Sequence, residues 1–271
     1  MTDGEVATTL GIQHFQHLNA SQQAQLFWKP PEVISLHDEP RLIATALGAT
    51  LYIPADRPDL AATVTRRASE GICSMVLDLE DAVDDMHADA AMHNVVTALD
   101  ELAADPLATM VFVRVRSYDC IPQIADRLTV GAHALAGFVI PKFEADTGAR
   151  YLRQTEDAAS ALSRHLYCMP VLESERILFQ ETRDAELTAL VDLLDEHRQT
   201  VLAVRVGATD MCGSLGIRRD RDHTIYDVKV VADVLAAIIN RFGRPDGTGF
   251  VVTAPVWEYF ADHERLFRPL L

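Results

Sequence analysis

Charged side chains recur directly behind short apolar runs in this sequence. Asp78-Leu79-Glu80-Asp81 follows one run, and Arg114, Arg116 and Ser117 close the next. Lys142-Phe143-Glu144, Glu173-Ser174-Glu175 and Gly207-Ala208-Thr209-Asp210 follow three more, and Thr253 and Glu258 stand behind the last. One charge at the end of one strand is most simply a solvated rim. Five successive units are a different matter, because carboxylates gathered in one mouth are costly to desolvate unless a cation pairs them. Oxygen-rich ligation by a few carboxylates plus water suits Mg²⁺, and no histidine or cysteine is placed for zinc. The pattern predicts a magnesium site, with Arg114, Arg116 and Lys142 handling an anionic substrate.

Those charges act together only if their elements bring the run ends to one place. β-rich runs occur at Thr50–Ile53, Ser74–Leu79, Met110–Val115, Gly137–Pro141, Leu166–Leu172, Val201–Val206 and Gly249–Val252. Between them lie helical segments, Leu60–Glu70, Ala88–Ala103, Asp146–Arg164, Arg176–Glu196 and Tyr226–Arg241. In the last, Val228, Val231, Val234, Leu235 and Ile238 keep close to the 3.6-residue period. Strand and helix in alternation predict parallel pairing with right-handed crossovers, and runs apolar on successive residues predict strands buried on both faces. No GxGxxG or GxxxxGK[ST] loop follows the first strand. The expected fold is a (β/α)8 TIM-type barrel with its site at the C-terminal ends of the strands. Residues 1–48 are expected as an N-terminal extension and 49–271 as a single catalytic barrel. Seven strands are recognisable; the eighth is missing or supplied by the N-terminal segment. The natural chain continuing past Leu271, or a neighbouring subunit covering the gap, are the other possibilities.

Composition narrows the partners. Hydrophobic residues at 49% and charged residues at 24% are ordinary for a globular protein. The net charge of −16, from 40 acidic against 24 basic side chains, repels phosphate backbones, so nucleic acid and membrane are excluded as expected partners. Met1 to Gln25 lacks the basic head and apolar run of a secretory signal, and no apolar stretch is long enough for a bilayer. Cys73, Cys120, Cys168 and Cys212 form no CxxC pair, and a reducing, cytoplasmic setting fits them.

Six segments in register carry a family resemblance. They are Leu51-Tyr52-Ile53-Pro54-Ala55-Asp56-Arg57-Pro58, Val76-Leu77-Asp78-Leu79-Glu80-Asp81-Ala82-Val83, Val113-Arg114-Val115, Pro141-Lys142, Pro170-Val171-Leu172-Glu173-Ser174 and the Gly207–Asp210 turn. Together they resemble the citrate lyase β-subunit-like branch of the HpcH/HpaI aldolase superfamily. Arg205 to Asp210, Gly216-Ile217-Arg218-Arg219 and Pro255-Val256-Trp257-Glu258-Tyr259-Phe260 look closest to a subgroup of C–C bond lyases from tellurium-resistance-type gene clusters.

The resemblance implies Glu173 and Asp210 as Mg²⁺ ligands and Arg114 as the group on a substrate carbonyl or carboxylate oxygen. It implies that Glu80 and Asp81 hold metal-bound water or orient Arg114, and that Arg57 contacts a substrate or cofactor phosphate. Arg116, Lys142 and Thr209 join Arg57 as expected substrate-binding residues. The reaction implied is retro-aldol or retro-Claisen cleavage, or its reverse, of an oxo-acid, β-hydroxy acid or acyl-thioester substrate through an enolate, with Asp81 the expected base through water. A homo-oligomer, trimer or hexamer, is implied as well. Two departures stand out: the family's closing Gly-Lys…Ile-His-Pro strand is absent, and Arg116 replaces a common Asn. The first weakens a coenzyme A site, which relatives cover with that region. A non-catalytic barrel serving as a binding or regulatory subunit is the rival from another class. Phosphoryl transfer on a pyruvate-like enolate is a third reading, lacking its phosphate loop or histidine.

Overall fold

The computed structural model describes residues 11–105, 107–219 and 223–255. Within them six parallel strands form one sheet in the order β1 to β6: Leu51–Pro54, Ser74–Asp78, Met110–Arg114, Leu135–Ile140, Tyr167–Leu172 and Arg205–Val206. Among the described residues ten α-helices accompany them: α1 Ala20–Leu26, α2 Pro40–Ala46, α3 Leu60–Ser69, α4 Ala88–Ala104, α5 Cys120–Ala125, α6 Ala145–Ala161, α7 Glu175–Leu178, α8 Gln180–Glu196, α9 Ala208–Ser214 and α10 Lys229–Phe242. The sheet curls into a partial barrel with the longer helices outside it, the TIM-type architecture expected.

The period of two along each strand divides the core. Met75, Leu77, Val111, Val113, Phe138 and Ile140 face outward into the cluster made with the helices. Val76, Phe112, Val139 and Met169 form the second cluster, on the inner face, with Tyr52 packed against it. β3 and β4 shift register between Val111 and Phe112. At that shift Gly137 lets two backbones touch, since a Cβ there would stand 1.9 Å from the Tyr167 carbonyl oxygen.

Val201–Val206 does not form one continuous strand. Cys168 bridges Val201 while Val171 pairs with Arg205, so three steps along β5 answer four along the other strand. The extra residue is a bulge. Val204 pairs instead with Val252, and that bridge is all the ladder formed by the seventh run among the described residues.

Residues 11–48 contribute no strand to the sheet. Their one ladder contact is Ile12 with Ile34, antiparallel and within the segment. Pro40 occupies the first turn of α2, where its missing N–H costs nothing. That helix buries Ile43, Ala44 and Ala46, and together with Ile12 and Leu47 they join the inner cluster beneath Cys73, Met110 and Tyr167. Ser74 Oγ donates to the Leu47 carbonyl at 2.7 Å. The segment closes the N-terminal end of the barrel. Residues 256–271, Glu258 and its motif among them, lie outside the described residues.

Candidate active site at the strand ends

Register sets the first contact. Asp78 and Arg114 are the last residues of β2 and β3 and pair directly across the ladder, so their side chains leave the same face. The guanidinium meets the carboxylate bidentately, Nε to Oδ1 at 2.7 Å and Nη2 to Oδ2 at 2.6 Å. Arg114 turns its remaining nitrogen, Nη1, to Glu80 at 2.9 Å and Asp81 at 3.1 Å. The Glu80 contact is off the hydrogen-bonding direction, and Glu80 Oε2 is buried without a hydrogen-bond partner.

Lys142 gathers the other carboxylates. It follows β4 with a φ of +47°, a left-handed conformation uncommon for a residue with a Cβ. That turn points its backbone N–H at Glu173 Oε1, 2.9 Å away. Its ammonium pairs with Glu80 Oε1 and lies 3.5 Å from Asp210 Oδ2 and 3.9 Å from Asp81 Oδ1. Glu173, directly behind β5, is 6% exposed. Gly207 leaves room for it, because a Cβ there would stand 1.6 Å from Glu173 Oε2. Asp210 lies in the first turn of α9. Asp78, Glu80, Asp81, Glu173 and Asp210 thus face two cations, Arg114 and Lys142.

This excess of negative charge is written into the protonation states. Burial, opposed by the Lys142 N–H and reinforced by the charge of Asp210, pushes the Glu173 carboxyl up to about 7. Glu80 is also raised, chiefly by burial against the pull of Lys142 and Arg114. For Asp81 burial acts upward too, but the hydrogen bond from Glu80 and the charges of Arg114 and Lys142 outweigh it and hold it below the ordinary range. Arg114 is held charged: its carboxylate partners outweigh burial, the largest single influence. Between the ordinary 4.5 of a free glutamate and about 7, the folded chain keeps a proton on Glu173 that the unfolded chain has released. The metal-free protein is therefore expected to lose stability as pH rises through that window. Urea unfolding at about pH 5 and about pH 7.5 measures the loss, and Glu173→Gln should flatten it.

The remaining residues of interest stand apart. Arg57 is spent on Asp59 at 3.2 Å, both roughly half exposed, and does not reach the cluster. Arg116 lies beyond the end of β3 and pairs with the exposed Asp85, leaving Nη1 buried without a hydrogen-bond partner. Thr209 is exposed on α9 beside Asp210. Asp78, Tyr52, Arg205 and Gly207 belong to the same interior but carried no individual role in the sequence reading. Tyr52 lies between two guanidiniums, with Arg114 5.3 Å and Arg205 5.5 Å from its ring centre. The inward period of β1, which aims Tyr52 at the barrel centre, is the signal that could have found it. The carboxylates of the mouth offer oxygen donors, and among the described residues no three Asp, Glu, His or Cys side chains converge as a ready-made metal cage. Asp210 stands close enough to Glu173 for its charge to raise the Glu173 carboxyl, so these two are the pair that a hard cation could share.

A family model described as C–C bond lyase of the TIM-barrel fold matches residues 41–271. The chain belongs to that family. A citrate lyase subunit beta-like protein of Deinococcus radiodurans is 39% identical over 111 residues, 40% of this chain and 37% of that protein. Among solved structures, an HpcH/HpaI aldolase/citrate lyase family protein from Burkholderia cenocepacia superposes with a TM-score of 0.52 at 17% identity, over 78% of this chain and 83% of that one. Malate synthase of Haloferax volcanii superposes with a TM-score of 0.53 in two crystals. Its lead(II) complex is 17% identical over 74% of this chain and 61% of its own. Its magnesium/glyoxylate complex is 14% identical over 85% and 81%. These structural likenesses, all under 25% identical, show the barrel fold. The chain spans little more than a third of its curated relative and under two thirds of the lead complex.

Proposed function

We propose that this C–C bond lyase family member is a magnesium-dependent lyase or aldolase that cleaves or forms a β-hydroxy acid through an enolate, with an oxo-acid on the other side of the reaction. The observation that carries the reading is the meeting of Glu173 and Asp210 on one residue, Lys142, whose N–H holds the first and whose ammonium pairs with the second. Two carboxylates completed by water are a normal magnesium donor set. The Haloferax enzyme of the same fold binds magnesium with glyoxylate, a small oxo-acid. Arg57 is turned away to Asp59, so the reading is for a free acid, not a coenzyme A thioester.

Glu173 and Asp210 would hold the cation, which when bound supplies Lewis acidity to a substrate oxygen. Asp78 grips the Nε and Nη2 edge of Arg114 and so aims the Nη1 edge outward. A substrate carboxylate or developing enolate oxygen takes that edge from Glu80 and Asp81. Glu80 and Asp81 are neighbours pushed in opposite directions, the arrangement that separates an acid from a base. Asp81, kept ionised, accepts the hydroxyl proton through a water; the Cα–Cβ electron pair becomes the enolate; Glu80 can return a proton to carbon. Lys142, whose ammonium lies at the same mouth beside Glu80 and Asp210, faces the anionic substrate.

Calorimetry of Mg²⁺ with and without pyruvate or oxaloacetate tests the assignment. Binding to wild type that the oxo-acid strengthens, and that Glu173→Gln and Asp210→Asn each weaken by about tenfold to a hundredfold or more, is the expected result. Unchanged magnesium affinity in both variants would remove these residues as ligands, and no binding to wild type would return the chain to the non-catalytic barrel.

A further inference from the structure

The barrel has a second recess at its opposite end. A cavity of about 480 Å³ opens beneath the first residues of β3, β4 and β5, Met110, Leu135 and Tyr167. The proposed chemistry lies at or beyond the last residues of the same strands, Arg114, Lys142 and Glu173. The volume falls within the range of roughly 300–1,000 Å³ typical of small-molecule sites. Leu102, Leu107 and Leu135 give it apolar walls.

Its polar lining has one sign. Among the described residues sixteen line the cavity and none of these is Asp or Glu, in a chain with 40 acidic side chains, while Arg164 and three histidines, His37, His133 and His165, are among them. Arg164 is the centre of that imbalance. Ser163, at a φ of +52°, turns the chain after α6 and delivers it. Arg164 Nη1 donates to the Ala132 carbonyl; among the described residues Nε, which is buried, has no partner and no carboxylate pairs with the guanidinium. Burial disfavours its charge, yet an arginine does not give its proton up. A neutral donor would serve the Ala132 contact equally well. What the contact leaves unexplained is a half-buried positive charge whose Nε is buried without a partner, hydrogen-bonding capacity that suits an anion.

We propose that this cavity binds a small amphiphilic organic anion, its carboxylate or phosphate head on Arg164 and its apolar body against Leu102, Leu107 and Leu135. The site is independent of the chemistry proposed at the other end of the strands. Octanoate and octyl phosphate are the probes, octanol the uncharged control, each titrated into the full chain by calorimetry. One-to-one binding of either anion, with octanol at least about tenfold weaker, is expected. Arg164→Gln keeps a donor for Ala132 and should lose about tenfold or more in anion affinity, Arg164→Lys losing less. Ala103→Phe, filling the cavity from its half-exposed wall, should block both probes. Thermal melts confirm that each variant is folded, and magnesium affinity should be unmoved in all three. Tighter octanoate than octyl phosphate assigns a carboxylate head, and the reverse a phosphate. The proposal is overturned if wild type binds neither anion, if Arg164→Gln binds them as tightly as wild type, or if Ala103→Phe leaves binding intact.

Discussion

Gly207→Ala should remove magnesium binding and with it turnover, although the substitution adds a single methyl group and no charge. The added carbon would fall 1.6 Å from Glu173 Oε2, 2.6 Å from its Cδ and 2.7 Å from its Cβ. A flexible tip could swing aside; a Cβ fixed to a buried backbone cannot. Gly207 has a φ of −100°, open to any residue, so the effect is one of space and not of backbone strain. We expect a destabilisation of about 1–3 kcal/mol, as for overpacking elsewhere, and a loss of about 10²-fold or more in magnesium affinity as Glu173 is displaced. Gly213→Ala is the internal control: it lies in α9, a Cβ there meets nothing within 4 Å, and alanine should raise stability by up to about 1 kcal/mol. Urea unfolding and calorimetry on the two variants decide the matter. A Gly207→Ala protein with wild-type magnesium affinity would show that Glu173 is not held where the cation binds.

Arg114→Met is the second large effect, and it falls on stability as well as activity. Arg114 compensates Asp78 and Glu80, whose side chains are 5% and 14% exposed. Removing it strands buried carboxylates, which typically costs about 3–5 kcal/mol. The sign with pH follows: the variant should recover stability as pH falls, because protonating Glu80, already raised by burial, removes a charge that Arg114 neutralised. Unfolding midpoints of wild type and variant at about pH 5 and about pH 7.5 read this directly. Arg114→Lys separates the roles. A lysine restores one positive charge but not the two-nitrogen grip on Asp78, so the fold should largely return while turnover stays about 10²–10³-fold down. Equal losses of stability in the Lys and Met variants would mean that the fork, not the charge, carries the fold.

The parts of this arrangement that sequence reveals are local. Met75-Val76-Leu77 and Phe138-Val139-Ile140 are apolar without interruption because both faces of their strands are covered, and the charges behind such runs mark the strand ends. What sequence hides is pairing across strands. Asp78 matters because the register sets it opposite Arg114, and nothing in either segment states that register. Arg57 occupies its expected motif, yet Asp59 two residues on captures it. Arg116 shares the period-two face of Arg114 on paper, but β3 ends at Arg114 and Asp85 claims the second arginine. Arg176–Glu196 reads as one helix and folds as two, because Arg183 donates to the Ile177 and Leu178 carbonyls and so satisfies the end of α7. The requirement for glycine at 207 comes from Glu173, a residue on the preceding strand's end that only the fold brings near.

Seen from beneath, residues 11–48 act as a stopper. The open underside of a curled parallel sheet is a greasy well, and Ile12, Ile43 and Leu47 are the bung that fits it. Their partners, Phe112, Val139 and Met169, arrive between about 60 and 160 residues later in the chain, by numbering, so a segment made before them has to wait for them to be seated. Until the strands have curled there is no well to fill, and until it is filled the well is open to other greasy chains. A protein trimmed to begin at residue 49 would keep every proposed ligand and lose its cork, exposing the inside of the barrel from the side opposite its chemistry.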